Sequence, residues 1–416
     1  MKLAWLCNMT PGAVSRCRGT GGGGLWLDHV LEDIRAQKDI TLRLFCPGGT
    51  EEGQVDGKTS YVLFTEGTPQ NYRQQLEDLF YEQLQQFQPD VIHIWGTEYG
   101  HTLAMVNAAQ RLGWENRVAI SIQGLCSSCA RHYCEGIPEA VCHRYSLRDF
   151  LKRDNLLGQQ KQFVRRGELE RQALKKVGHV IGRTDSDRAV TGQINPHRRY
   201  HFCNETLREG FYQDVWRYSG CKKHRIFLSS ALFPFKGTHY LLEAMPLVLA
   251  EFPDAEIAVT GDSFFKSTLP EKLRQDYYHR YLARLADKND LGDRIHFLGA
   301  LNEQQMKQAF LDCNVFVLPS TIENSPNSLG EAMLLGVPCV AADVGGVSNM
   351  LHPGQGYVYQ STAPYMLAHY IAEVFRQQER AEEMGAQARL QALGTHNPEK
   401  NMKDLLEIYR LIAEER

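Results

Sequence analysis

Apolar positions along the chain follow two regimes. Short runs rich in Val, Ile, Leu and Phe are separated by longer stretches in which apolar residues recur every three or four positions. The first regime predicts buried strands and the second amphipathic helices. In the first half the pattern predicts strands over 2–7, 40–46, 60–64, 91–94, 117–122, 179–182 and 200–203, with helices over 71–87 and 101–112 among them. A second series begins near His224. It predicts strands over 225–229, 256–259, 294–297, 315–318, 339–341 and 357–358, with helices over 237–252, 271–287, 303–312 and 328–335. Strand and helix in alternation build parallel sheets covered on both faces. Two complete series predict an α/β chain of two doubly wound domains, 1–205 and 224–397, joined by a linker at 206–223. A further helix at about 398–416 either finishes the second domain or packs back on the first.

Composition narrows the class. The 416 residues suit two to three domains at about 150 residues each. With 43% hydrophobic and 23% charged residues the chain reads as globular. No apolar run approaches the ~20 residues that span a bilayer, and the apolar start is too short for a secretory signal. The expected location is cytoplasmic. Eleven cysteines in such a chain read as free thiols. Cys126 and Cys129 have zinc-ligand spacing, with His132, Cys134 and Cys142 close by, but no second close pair follows. Packed thiols are the competing reading, and no metal site is expected.

The charge is uneven although its sum is only −3. Between Arg144 and Lys176 ten Lys and Arg stand against four acids. Such a stretch attracts anionic lipid or a phosphorylated substrate, or else forms a solvated helix face with i,i+4 pairs. Nucleic acid is excluded as a partner, because the overall charge is near neutral and no aromatic-basic module is present.

In open α/β sheets ligands bind outside the carboxyl ends of the strands, so the residues after each strand matter most. After the first comes Gly19-Thr20-Gly21-Gly22-Gly23-Gly24, a turn whose backbone N–H groups approach an anion, or a mobile loop. In the second series Lys236 stands at the start of a helix, where a cation is unfavourable unless an anion is bound. The stretch from Pro319 to Met333 follows an apolar strand, and Pro326 and Asn327 suit a helix start. The N–H groups of Asn327, Ser328 and Leu329 would then point outward to a phosphate, between Glu323 on the loop and Glu331 on the helix.

Glu323-x7-Glu331, the following Ala-Met-x-x-Gly-x-Pro, a later Gly-Gly-Val and the upstream Pro234-Phe235-Lys236-Gly237 resemble the C-terminal domain of retaining glycosyltransferases of the GT-B fold, family 4. The first half is similar to a bacterial surface-polysaccharide branch through Gly96-Thr97-Glu98-Tyr99-Gly100-His101, Ser121-Ile122-Gln123-Gly124 and Gly182-Arg183-Thr184-Asp185. The resemblance implies two Rossmann-like domains facing across a cleft. It implies that Lys236 holds a donor diphosphate and that the Asn327, Ser328 and Leu329 amides cap a phosphate. Glu331 would bind ribose, and Glu323 would contact the transferred sugar and support its developing positive charge. Gly299 and Leu301 would frame the base, Ser230 would line the donor site, and Gly22 and Gly23 would close over the diphosphate.

The sequence departs from the family pattern at three places. Ala231 stands where an arginine is usual, which removes a bidentate clamp that Ser229, Ser230 or Arg183 would have to replace. Gln123 stands where a histidine is usual; it can bond a sugar hydroxyl but takes no proton. Asn349 stands where an acid follows the Gly-Gly-Val turn. Asp185-Ser186-Asp187 spells a short acidic motif that binds metal in another glycosyltransferase fold, but the surrounding pattern is that of a metal-independent one. Gln123, His101, Arg183 and Asp185 are the acceptor-binding candidates. For Asp185 the alternative is a helix cap, and for His101 a polar surface position.

The expected function is transfer of a sugar, a hexose by this reading, from a nucleotide-diphosphate sugar to a hydroxyl of a glycan or lipid-linked glycan in polysaccharide biosynthesis. No further cofactor is expected. The partners would be the donor, the acceptor and an anionic surface on the inner membrane face, reached through the basic stretch. The alternatives are a nucleotide-sugar epimerase on the same architecture and a non-catalytic nucleotide-sugar-binding protein.

Overall fold

The structure is a computed structural model that describes residues 1–20 and 26–415. The chain divides into two compact units. The first comprises Met1–Ser128, Gln162–Arg208 and His396–Arg416; the second comprises Cys129–Lys161 and Glu209–Thr395.

Among the described residues the first unit has one sheet of eight strands: β1 (Lys2–Leu6), β2 (Thr41–Pro47), β3 (Glu52–Gln54), β4 (Thr59–Phe64), β5 (Val91–Trp95), β6 (Val118–Ser121), β7 (His179–Gly182) and β8 (Arg199–Phe202). They lie in the order β3-β4-β2-β1-β5-β6-β7-β8, parallel throughout except for the antiparallel β3–β4 pair. Both faces are covered. Ala4 and Leu6 of β1 pack into one cluster with Phe45, Phe64 and Phe80, while Leu3 and Trp5 pack into another. The period of two in β1 thus feeds two cores.

The second of these cores includes Leu405, Ile408, Tyr409 and Ile412, the buried face of the helix Pro398–Glu414. Their i, i+3, i+4, i+7 spacing marks that face in the sequence. Tyr409 also bonds the buried His93 through its hydroxyl, 2.6 Å from Nδ1, and His93 Nε2 lies 2.7 Å from Ser121 Oγ. Burial pushes the His93 imidazole down to about 3, so it is neutral.

The second unit holds β9 (Arg225–Leu228), β10 (Glu256–Val259), β11 (Ile295–Phe297), β12 (Val315–Leu318), β13 (Cys339–Ala342) and β14 (Tyr357–Tyr359). All are parallel, in the order β11-β10-β9-β12-β13-β14. This is the doubly wound order, whose direction of winding reverses between β9 and β12.

The division differs from the sequence expectation in two segments. Residues 209–223, expected as linker, already pack in the second unit. Phe211 and Trp216 are buried, the Trp216 backbone N–H donates to Leu335 O (2.7 Å) and its indole N–H to Cys313 O (2.7 Å). Cys129–Lys161, expected in the first domain, also belongs to the second unit. The Thr321 hydroxyl donates to His132 O (2.9 Å), His239 Nε2 lies 3.1 Å from Glu135 O, and the Tyr277 backbone N–H donates to the Asp149 carboxylate (2.9 Å). Among the described residues no helix is long and apolar enough to cross a membrane.

Candidate functional site

The second unit places its chemistry where the sheet reverses. β9 runs into Ser229, Ser230 and Ala231, then a single 3-10 turn, Pro234–Lys236, and the helix Thr238–Leu249. β12 runs into Pro319 to Pro326 and the helix Asn327–Leu335. The two loops touch through backbone. Gly237 has φ +72°, and a Cβ there would meet Pro319 O at 1.7 Å, so no other residue fits without displacement. Thr321 N–H donates to Phe235 O at 2.8 Å.

That contact brings Lys236 and Glu323 together across 87 residues of chain: the ammonium lies 2.5 Å from Glu323 Oε1, which also accepts the Ser320 hydroxyl at 2.8 Å. The turn after β13 supports the glutamate from beneath. Gly345 has φ +54°, with Glu323 O only 1.7 Å from where a Cβ would stand, and Gly346 N–H donates to that carbonyl at 3.3 Å. The Gly-Gly pair read from the sequence is therefore a seat for the Glu323 backbone.

The helix Asn327–Leu335 begins at Pro326 with no side-chain cap. The Leu329 N–H is taken by Pro326 O (3.0 Å), so it does not join the expected phosphate cap. Among the described residues the N–H groups of Asn327 and Ser328 have no acceptor, and these two are what the helix offers an anion. Glu331 is buried in the second turn.

A pocket of about 500 Å³ opens at the ends of β9, β10 and β11; Lys236, Glu323, Asn327, Ser328 and Glu331 are not among the residues lining it. Ser230, Gly299 and Leu301 line it. Gly261 N–H bonds Gly299 O at 2.9 Å and ties the loops after β10 and β11 together. Ala231 lines the pocket as well, so the missing arginine leaves wall rather than charge. Two cations that the sequence reading passed over, Lys266 and Arg274, line it too. They lie in segments with no motif and only the fold brings them there. Asp276 and His279 complete one side at 2.6 Å; burial works against the Asp276 carboxylate, yet the His279 hydrogen bond holds it below the usual range.

In the first unit the acceptor candidates fall into separate places. Arg183 forms a buried ion pair with Glu205, and Gln123 donates to the same carboxylate at 2.5 Å. The space beside them measures about 30 Å³, room for about one water. Both side chains are thus committed within the unit. His101 is buried rather than on the surface; its Nε2 lies 2.8 Å from Asn8 Oδ1, and burial pushes it down to about 3. Asp185 is exposed in the first turn of the helix Asp185–Ile194, but the cap is made by Thr184 and Asp187. Asp187 accepts from the Arg183 and Thr184 amides and from Tyr200, which consumes the second carboxylate of the acidic motif. Gly22 and Gly23 lie outside the described residues.

Sequence reasoning quoted Glu98 without assigning it a role. It follows β5, next to β1, where the winding of the first sheet reverses. It accepts from Asn8 Nδ2 at 3.0 Å. Burial, aided by the neighbouring Glu170 carboxylate, raises its carboxyl to about 7. Glu170 is itself pinned by Thr97, the Cys126 amide and Ser127, at 2.6–3.1 Å. Among the described residues no three His, Cys, Asp or Glu are grouped to hold a metal ion, and Cys126 belongs to the first unit while Cys129, Cys134 and Cys142 belong to the second.

Comparison with known proteins adds to this geometry. Residues 219–391 match the family model described as glycosyl transferases group 1. Over 171 residues the chain is 30% identical to a GDP-mannose-dependent monoacylated alpha-(1-6)-phosphatidylinositol monomannoside mannosyltransferase of Corynebacterium glutamicum, a match covering 39% of this chain and 41% of that one. The chain spans about two fifths of the length of the curated relatives it matches. Among solved structures, sucrose-phosphate synthase from Thermosynechococcus elongatus superposes with a TM-score of 0.69 at 15% identity, covering 100% of both chains. Anabaena HepE in complex with UDP and glucose superposes with a TM-score of 0.66 at 17% identity, covering 98% of this chain and 99% of that one. At such identities the likeness shows the fold, which is GT-B: two Rossmann-like α/β units.

Proposed function

We propose that the chain is a glycosyltransferase that moves a sugar from a nucleotide-diphosphate sugar to a hydroxyl of a glycan or lipid-linked glycan, with retention at the anomeric carbon. The observation that carries this reading is the Lys236–Glu323 pair, set on the two loops of the switch point beside the unbonded Asn327 and Ser328 amides. The family match over 219–391 includes every one of these residues.

In this reading the nucleoside occupies the 500 Å³ pocket, and Glu331 meets the ribose. The diphosphate lies on the two amides and draws Lys236 from Glu323. The freed carboxylate then faces the sugar, accepts its hydroxyl protons in hydrogen bonds and stabilises positive charge at the anomeric carbon. The bond from that carbon to the diphosphate breaks, and its electron pair stays on the leaving oxygen. The acceptor oxygen bonds to the carbon from the same face, and its proton passes to the leaving diphosphate. No protein base is required by this step. The place is polysaccharide biosynthesis on the cytoplasmic side of a membrane.

A thermal-shift screen against nucleotide sugars selects the donor, because a ligand of the native state raises Tm. Incubation of that donor with candidate acceptors, followed by NMR of the product, tests the chemistry. An α-donor giving an α-linked product supports the proposal. An epimerised donor formed without acceptor would replace it with an isomerase, and tight binding with no turnover would replace it with a sensor.

A further inference from the structure

Two short helices of the second unit, Leu147–Lys152 and Leu269–Arg274, pack side by side. The first is amphipathic and inside out, and the second is exposed along its whole length. Leu147, Phe150 and Leu151 stand at i, i+3 and i+4, the spacing of a core-facing stripe, yet they are 48%, 69% and 73% exposed. Leu269 and Leu273, at i and i+4, are 69% and 42% exposed. The polar face of the first helix is the buried one. Ser146 and Asp149 close a capping box there, Asp149 accepts the Tyr277 backbone N–H at 2.9 Å, and Arg148 bridges Asp149 and Asp154 at 3.0 and 2.8 Å. The apolar face is therefore held outward by a rigid polar anchor.

Cations ring this apolar surface. Arg144, Lys152 and Arg153 flank the first helix and Lys272 lies on the second, all exposed. Asp149 and Asp154 both pair with Arg148, which offsets one of their two charges; residues 144–154 keep an excess of two positive charges, and on the second helix Glu271 stands beside Lys272. Two later cations of the basic stretch are engaged within the first unit. Arg166 bonds Glu98 O at 2.8 Å and stacks on Phe163, and Lys176 bonds Asn107 at 2.6 Å, both in the first unit. The 144–153 portion sets three exposed cations beside three large exposed apolar side chains, whereas at 161–165 exposed Lys161 and Arg165 flank Val164 alone.

We propose that this two-helix surface docks on a membrane leaflet rich in anionic lipid, with Phe150, Leu151 and Leu269 entering the interface and the four cations meeting the headgroups. Large aliphatic and aromatic tips beside positive charge match such a leaflet in both its layers, hydrocarbon below and phosphate above. The second helix ends in Arg274, which lines the pocket after β10, so a docked surface would hold that pocket close to the lipid. The assignment does not rest on glycosyl transfer, and its test is scored without turnover.

The test is co-sedimentation of the full chain with vesicles of phosphatidylcholine alone or with about one third phosphatidylglycerol, at low and high salt. The intact protein should bind the anionic vesicles and release with salt. The R144Q/K152Q/R153Q variant should bind on the order of 100-fold more weakly, at about 1 kcal/mol per cation. The F150S/L151S variant, which alters only exposed side chains, should lose more than tenfold, and should keep the intact protein's Tm and its response to nucleotide sugars. Equal binding by all three proteins, or no binding by the intact one, would overturn the proposal. So would sedimentation equilibrium that showed a dimer abolished by F150S/L151S with no vesicle binding, since the surface would then belong to a second copy.

Discussion

The Lys236 ammonium sits 2.5 Å from the Glu323 carboxylate, and each is the other's charge partner across the two loops of the switch point. The two charges offset each other. On the proposed function, a donor diphosphate would compete with Glu323 for the ammonium and free the carboxylate toward the sugar, so that binding and activation would be linked through one ion pair. Glu323→Gln should keep nucleotide-sugar binding and lose transfer by about 100-fold or more, the scale of a group that acts on transition-state charge. Lys236→Met should instead weaken binding of the nucleoside diphosphate itself, by about 1.5–3 kcal/mol for a charge-assisted contact. Calorimetry with the diphosphate and initial rates with the full donor separate the two variants.

Gly237→Ala should destabilise the second unit severely. The new methyl would meet a backbone carbonyl at 1.7 Å, and the residue would also have to hold φ at +72°. A loss above about 3 kcal/mol is expected from clash and left-handed strain together. Chemical denaturation followed by circular dichroism measures it, with Gly292→Ala as control, since nothing lies within 4 Å of a Cβ there.

Lys266 and Arg274 face the pocket that Ala231 leaves without its usual cation. If they supply the missing charge, the K266A/R274A double variant should weaken nucleoside diphosphate binding by about tenfold or more and leave binding of the uncharged nucleoside unchanged. Added salt should weaken the intact protein toward the variant, because both cations are solvent-accessible.

Glu98 predicts a pH dependence of stability. Burial raises its carboxyl to about 7 in the folded chain, whereas the unfolded value is about 4.3. Between these values the folded state holds a proton that the unfolded state has lost. Its stabilising contribution is complete below about 4.3 and declines as pH rises to about 7, by on the order of 3 kcal/mol. Glu98→Gln should flatten that decline. Urea midpoints measured at pH 5 and pH 7.5 for both proteins give the comparison, and equal slopes would remove the assignment.

The central strands were legible because runs such as β5, β6, β9, β12 and β13 are short and apolar, and burial on both faces writes itself as continuous Val, Ile, Leu and Phe. β3 was not, since Glu52-Gly53-Gln54 is an edge strand without apolar residues. The meeting of Lys236 and Glu323 was legible in part, because each follows a strand and the doubly wound order brings the ends of β9 and β12 together. The placement of 129–161 was not legible. Its periodicity describes its own helices, but its partner is chosen by carbonyls, His132 O for Thr321 and Glu135 O for His239, which any residue could supply. Leu329 was misread for a related reason. Whether an amide at a helix start is free depends on whether the chain curls tightly enough to reach back to Pro326.

The helix Pro398–Glu414 closes the first unit although the whole of 209–395 intervenes. During translation, therefore, β1 to β8 emerge from the ribosome long before the strip that covers Trp5 and His93 has been made. Until then that face of the nascent sheet is covered by the side chains of Ala13, Val14, Leu27, Val30, Leu31 and Ile34, and the strip over Trp5 and His93 stays open while the second unit is synthesised. A polypeptide cut after Thr395 would keep that strip open.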